Sequence, residues 1–180
     1  MSESTPRNEP LPAVTIYTDG ACMGNPGPGG YGAVLINGDK WREISGGYRL
    51  TTNNRMEIMA GIAALDVLKK PCKVTLFSDS QYVVNAMEMG WARKWQAAGW
   101  KRGAKEKAIN PDLWQRLLHL CDTHQVHFHW VRGHSGDPNN ERCDVLAVEA
   151  SKQPGMPVDE GYLGGARPVP RVARPPGGRR

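Results

Sequence analysis

The chain reads as a single α/β domain on a five-stranded mixed sheet, three antiparallel strands followed by two parallel ones, flanked by helices. Three observations predict this. Three short apolar runs follow one another with only tight turns between them. Two further apolar runs come later, each separated from the strand before it by segments of helical period. At 180 residues the chain is long enough for one domain with a real core and too short for two.

VTIYTDGA (14–21), YGAVLING (31–38) and WREISGGYR (41–49) form the antiparallel meander, and Asn37-Gly38 between the second and third is a strong hairpin signal. The intervening GNPGPGG has no following Lys-Ser/Thr, and Pro26 and Pro28 remove amide donors, so it is a tight turn allowing close backbone approach rather than a phosphate cradle. Thr52 or Asn53 caps a helix to about Lys70, where Met56, Met59, Ala60, Ala63, Ala64, Val67 and Leu68 keep a 3.6-residue period and Pro71 marks the end. CKVTLFSD is a buried strand, and Asp79 or Ser80 opens the next helix. A Trp-rich helical segment begins at Trp91, with Trp95 directed to the core. Asn110-Pro111 supplies a cap and a first-turn proline for LWQRLLHLC. VHFHWVR is the fifth strand, and Asp137-Pro138 opens a last helix to Ala150.

The domain spans residues 13–152. Residues 1–12 carry three prolines, and residues 153–180 are dominated by Gly, Pro and Arg without period, so both ends are predicted to be disordered. The net charge of +5 belongs to the end of that tail: in residues 166–180, Arg167, Arg171, Arg174, Arg179 and Arg180 stand without an acid. Without these five, the 23 basic residues fall to 18, matching the 18 acids, so any basic surface on the body is local. Cys22, Cys72, Cys121 and Cys143 form no CxxC pair, and the polar N-terminal segment has no apolar core of a secretory signal. A reduced, cytoplasmic protein without membrane association is expected, its thiols acting as small hydrophobes.

Asp19, Glu57, Asp79 and Asp144 carry the chemistry. If the first and fourth strands pair in parallel, Asp19 and Asp79 emerge at the same sheet edge, with Glu57 in the first turns of one helix and Asp144 on another able to cover them. Clustered acids without basic partners raise one another's pKa, and such a cluster is held together by divalent cations. Oxygen ligands without Cys or His pairs suit Mg²⁺, with Mn²⁺ as a substitute. Two such ions, roughly 4 Å apart, stabilise both the attacking and the leaving oxygen of a phosphodiester. Taken singly, each acid also has a structural use as a cap, a helix-dipole partner or a solvated side chain. His127 and His129 share a strand face without a third ligand, which suits ordinary placement better than a metal pair.

The strings YTDGACMGNPGPGGYGAVL, TTNNRMEIMA, SDSQYV, GWKR, NPDLWQRL and HFHWVRGHSGDPNNERCDVLA together resemble ribonuclease H of the type 1 family, close to its bacterial single-domain members, collinearly from about Val14 to Ala150. The resemblance implies a ribonuclease H-like fold. It also implies an endonuclease that cuts the RNA strand of RNA/DNA hybrids with two divalent ions on Asp19, Glu57, Asp79 and Asp144, leaving 5′-phosphate and 3′-hydroxyl ends. His134 would shuttle a proton or help product leave, a task suited to the side chain that changes charge nearest neutral pH. Asn25, Asn54 and Gln81, with backbone amides around Cys22 and Gly24, would contact the minor groove, where the 2′-hydroxyl is sensed, and Asn53 would belong to the same substrate-binding set. Thr52 and Asn110 would hold a DNA-strand phosphate. Trp91, Lys94, Trp100 and Lys101, in a segment that also contains Arg93, Arg102, Lys105 and Lys107, would form a basic protrusion against the DNA strand. A monomer with no obligate protein partner is expected.

Two departures stand out. Gln96, Ala97 and Ala98 carry no charge where relatives are markedly basic, which predicts weaker protrusion binding, and Leu50 stands where the family often has a phosphate-pocket arginine. Arg49 is adjacent but alternates to the opposite face. Five flexible tail arginines could compensate. A related fold acting on DNA, such as an integrase or resolvase, and a silent hybrid-binding module are the rival readings.

Overall fold

The computed structural model describes residues 9–101 and 108–162. Five strands, β1 (Ala13–Cys22), β2 (Gly27–Asn37), β3 (Lys40–Thr51), β4 (Lys73–Ser78) and β5 (Gln125–Trp130), form one sheet in the order β3-β2-β1-β4-β5. β1 pairs antiparallel with β2, and β2 with β3; β1 pairs parallel with β4, and β4 with β5. Among the described residues the helices are α1 (Asn53–Asp66), α2 (Gln81–Glu88), α3 (Trp91–Ala97), α4 (Pro111–Thr123) and α5 (Pro138–Ser151). No helix among the described residues is long and apolar enough to cross a membrane.

Strand alternation separates two cores. Val14 and Ile16 of β1 and Val74 and Leu76 of β4 point into the larger one, against Met56, Ile58 and Ile62 of α1 and Trp114 and Leu117 of α4. On the opposite face Val34 packs with Cys143 and Leu146 of α5, with Tyr17 and Ile36 at its border. Trp95 is half-buried, 6.0 Å from Trp114 between ring centroids.

Three local expectations change. α1 stops at Asp66 with Val67 as its C-cap, short of Lys70. β2 begins at Gly27, inside the glycine run expected to be turn. Glycine disfavours strands in general, yet here the bare backbone lets α5 come close: a Cβ on Gly30 would lie 2.1 Å from the Ala147 carbonyl oxygen, and one on Gly32 2.6 Å from that of Cys143. The structureless tail expected from residue 153 is corrected as far as Tyr162. Asp159 and Tyr162 are buried, and the Arg49 amide donates to the Pro157 carbonyl at 3.0 Å, so this segment lies along the sheet's β3 edge. Residues 1–8, the stretch 102–107 with Arg102, Lys105 and Lys107, and the arginines of 163–180 lie outside the described residues.

Candidate active site

The parallel register of β1 and β4 builds the centre of the site. Thr18 lies opposite Ser78, so Asp19 and Asp79 both follow the last paired residues at one end of the sheet. Asp19 is held by its neighbour: the Gly20 amide donates to Asp19 Oδ1 at 2.8 Å. Gly20 must be bare, since a Cβ there would lie 2.5 Å from the Glu57 amide nitrogen, and this close approach brings the start of α1 onto β1. Thr52 caps α1, its hydroxyl accepting from the Arg55 amide at 3.3 Å, and Glu57 follows one turn in. Ser80 caps α2 by accepting from the Val83 amide at 3.2 Å, fixing the turn that carries Asp79. Trp130 Nε1 donates to the Asp79 carbonyl at 3.1 Å and ties β5 to that turn. Asp137 caps α5, on which Asp144 lies two turns in.

These segments meet at an open cavity of about 440 Å³, lined by all four acids together with Gly20, Ala21, Cys22, Asn53, Ser80 and His134. Carboxylate oxygens of Asp19, Glu57 and Asp79 lie within 4.8 Å of one another. Asp144 also lines the cavity, outside that triplet, and its charge still acts on Asp19. His134 is exposed in the loop before α5, with a left-handed φ of 55°.

The electrostatics are those of a site suited to a cation. Burial and then the charge of Asp79 push the Asp19 pKa up to about 8, against the lowering effect of the Gly20 amide. Burial, then Asp19 and Asp79, hold Glu57 well above the usual carboxylate range. Glu57 Oε2 is buried without a hydrogen-bond partner among the described residues. A buried orphan oxygen is costly in water-poor surroundings and is satisfied by a hard cation. The donor set of carboxylates alone therefore fits a divalent ion.

A family model described as RNase H matches residues 12–152. The chain belongs to the RNase H family. A curated ribonuclease H of Syntrophus aciditrophicus is 60% identical over 159 residues, 88% of this chain and 92% of that one. The crystal structure of LC9-RNase H1, described as a type 1 RNase H with the type 2 active-site motif, is similar with a TM-score of 0.71 and 34% identity, covering 90% of this chain and 84% of that one. LC11-RNase H1, solved in complex with an RNA/DNA hybrid, gives a TM-score of 0.58 at 26% identity over 76% of this chain and 95% of that one. The sheet, with two parallel and two antiparallel pairings, is the RNase H fold.

The remaining residues singled out from sequence fall into two groups, one lining the cavity or next to it in sequence and one away from it. Cys22 and Asn53 line the acid cavity; Asn25 Oδ1 accepts from the Asn53 amide at 3.1 Å, and Gly24 turns the chain there with φ 74°. Thr52 is buried at the helix cap, Asn54 is half-buried beside it, and Gln81 is exposed at the first position of α2. The second group does not touch the cavity: Trp91 and Lys94 are exposed on α3, Trp100 is half-buried with φ 66°, Lys101 is exposed, and Asn110 is buried. His127 and His129 are exposed on β5. Asn110 stands at the N-cap of α4 with Pro111 following, as expected, but without a side-chain cap bond. It takes a left-handed φ of 62°, and its amide bonds Arg55 and Tyr82 instead. Leu50 and Arg49 are both exposed at the end of β3.

Sequence reasoning missed Ser80 as a cavity wall and the ion pairs of Arg55 with Asp112 and Asp159. Ser80 was signalled by its position beside Asp79. For Arg55 no local signal exists, because its partners lie 57 and 104 residues away.

Proposed function

We propose that the chain is a magnesium-dependent endonuclease that hydrolyses the RNA strand of RNA/DNA hybrids, leaving 5′-phosphate and 3′-hydroxyl ends. The observation that carries this is the convergence of four acids on one cavity with the Glu57 Oε2 oxygen unpaired, in a chain of the RNase H family. A likeness to a protein solved with a hybrid bound supports the substrate class. Asp19, Glu57 and Asp79 would hold one Mg²⁺, and Asp19 with Asp144 would hold a second; Mn²⁺ could replace either. When bound, the two ions offset charge on the attacking water and on the leaving 3′ oxygen.

The chain's own residues do the rest. Water forms a bond to phosphorus in line as the bond from phosphorus to the ribose 3′ oxygen breaks, and the 3′ oxygen leaves with a proton. His134, exposed and lining the cavity, moves a proton or loosens the 5′-phosphate product. Asn25, Asn53, Asn54, Gln81 and the amides near Cys22 and Gly24 meet the 2′-hydroxyls of the RNA strand. Thr52 and Asn110 take a DNA-strand phosphate, while Trp91, Lys94, Trp100 and Lys101 steer the DNA strand by stacking and charge.

One cleavage assay on matched hybrid, duplex RNA and duplex DNA, with Mg²⁺ and with EDTA, tests this. The expected result is Mg²⁺-dependent cutting of the hybrid's RNA strand alone. Cutting of duplex DNA favours the integrase or resolvase reading, and tight hybrid binding without cutting makes the protein a silent binding module.

A further inference from the structure

We infer that Asp159, seven residues beyond the family match, is a positioning residue for the nucleic-acid contact of Thr52 and Asn110, acting through Arg55. This rests on Thr52 and Asn110 being the DNA-strand phosphate pocket.

Arg55 is 1% exposed, and all five of its N–H donors are used inside the protein. Nε donates to Asp159 Oδ2 at 2.7 Å and Nη2 to Asp159 Oδ1 at 2.9 Å. Nη2 also reaches Asp112 Oδ2 at 2.7 Å, and Nη1 reaches Asp112 Oδ1 at 2.9 Å. The fifth donor, again on Nη1, goes to Asn110 Oδ1 at 3.3 Å. Arg55 therefore does not replace the arginine absent at Leu50; it is an internal hub.

The hub dictates which ends of two pocket residues can donate. A guanidinium has no acceptor, so the Asn110 amide cannot flip without breaking its bond to Nη1. Its Nδ2 must face the other way, where one N–H reaches Tyr82 Oη at 3.4 Å and the second has no protein acceptor among the described residues. The backbone of Arg55 does the same for Thr52: because the hydroxyl oxygen accepts from the Arg55 amide, the hydroxyl hydrogen is left to donate. Two donors suited to one phosphate are thus set by a single residue.

Asp159 keeps Arg55 in that pose. Its side chain is 8% exposed against 36% for Asp112, and it also accepts from Thr51 Oγ1 at 2.7 Å and from the Tyr162 amide. With Asn in its place one of the two carboxylate oxygens becomes an N–H donor, so either Nε or one Nη2 hydrogen loses its acceptor and faces a donor in a dry site, and the guanidinium turns towards Asp112 and solvent. Nη1 then leaves Asn110 free to flip.

The test uses the full chain with Asp159→Asn and Asp159→Glu, measured below their thermal transitions on hybrids carrying one neutral methylphosphonate at successive positions of the DNA strand. In the unmodified enzyme one position should raise KM, and Asn110→Ala should erase that sensitivity. If Asn110→Ala keeps it, the pocket assignment itself fails. With the pocket established, Asp159→Asn should raise KM on the all-phosphate hybrid by about three- to tenfold with kcat within about twofold, and lose the position-specific sensitivity. Asp159→Glu, which keeps the charge, should fall between the two. A folded Asp159 variant with wild-type KM and undiminished methylphosphonate sensitivity overturns the inference, whatever its Tm.

Discussion

Replacing Asp19 with Asn should make the metal-free protein more stable while destroying turnover. Asp19 is 4% exposed, and its pKa rises from an ordinary 3.8 to about 8 on folding. A carboxyl raised in this way binds its proton more tightly folded than unfolded, so its stabilising effect is complete below about pH 4 and disappears as pH climbs towards 8. At roughly 1.36 kcal/mol per pH unit, ionising it costs roughly 4 kcal/mol by pH 7, an upper figure because a charged site draws in water. Asp19→Asn removes that cost and keeps an amide oxygen to accept from Gly20. In EDTA at pH 7 to 8 the variant should therefore unfold about 2–4 kcal/mol later, or roughly 4–16 °C higher in Tm. At pH 4 the two proteins should converge. Saturating Mg²⁺ should raise the wild-type Tm through ligand linkage and leave the variant's nearly unchanged. Urea or thermal unfolding followed by circular dichroism at several pH values measures all of this. A wild-type stability that is flat between pH 4 and 8 in EDTA, or a variant that is less stable there, would refute the electrostatic reasoning.

Three other perturbations probe separate parts of the account. Gly30→Ala places a Cβ 2.1 Å from the Ala147 carbonyl oxygen, so α5 must shift and carry Asp144 with it; a loss of about 1–3 kcal/mol in urea melts and a fall in kcat are expected. His134→Ala should lower kcat by about 10²-fold or more with little change in KM. Deleting residues 166–180, which removes five arginines but keeps Asp159, should raise KM at low salt and make its salt dependence shallower while leaving saturated turnover alone.

Much of this was legible in the sequence, for identifiable reasons. The apolar alternation of β1 and β4 and the helical crossover between them sufficed to bring Asp19 and Asp79 to one sheet end, because parallel pairing leaves no other choice. The glycine-built half of β2 was not legible: four glycines within Gly27–Gly32 offer neither strand propensity nor alternation, and their role appears only when α5 lies on them. Asn110 before Pro111 looks like a helix cap, yet asparagine also tolerates left-handed backbone, and here its amide serves Arg55. The segment 153–162 reads as tail by composition, and what orders it is a buried cation more than a hundred residues upstream. Long-range ion pairs leave no periodic trace.

The most direct measurement is anomalous diffraction at the manganese edge from crystals soaked in Mn²⁺. The account predicts one peak among the carboxylates of Asp19, Glu57 and Asp79 and, with hybrid bound, a second between Asp19 and Asp144. Full occupancy of Mn²⁺ elsewhere with no density among those side chains would contradict it.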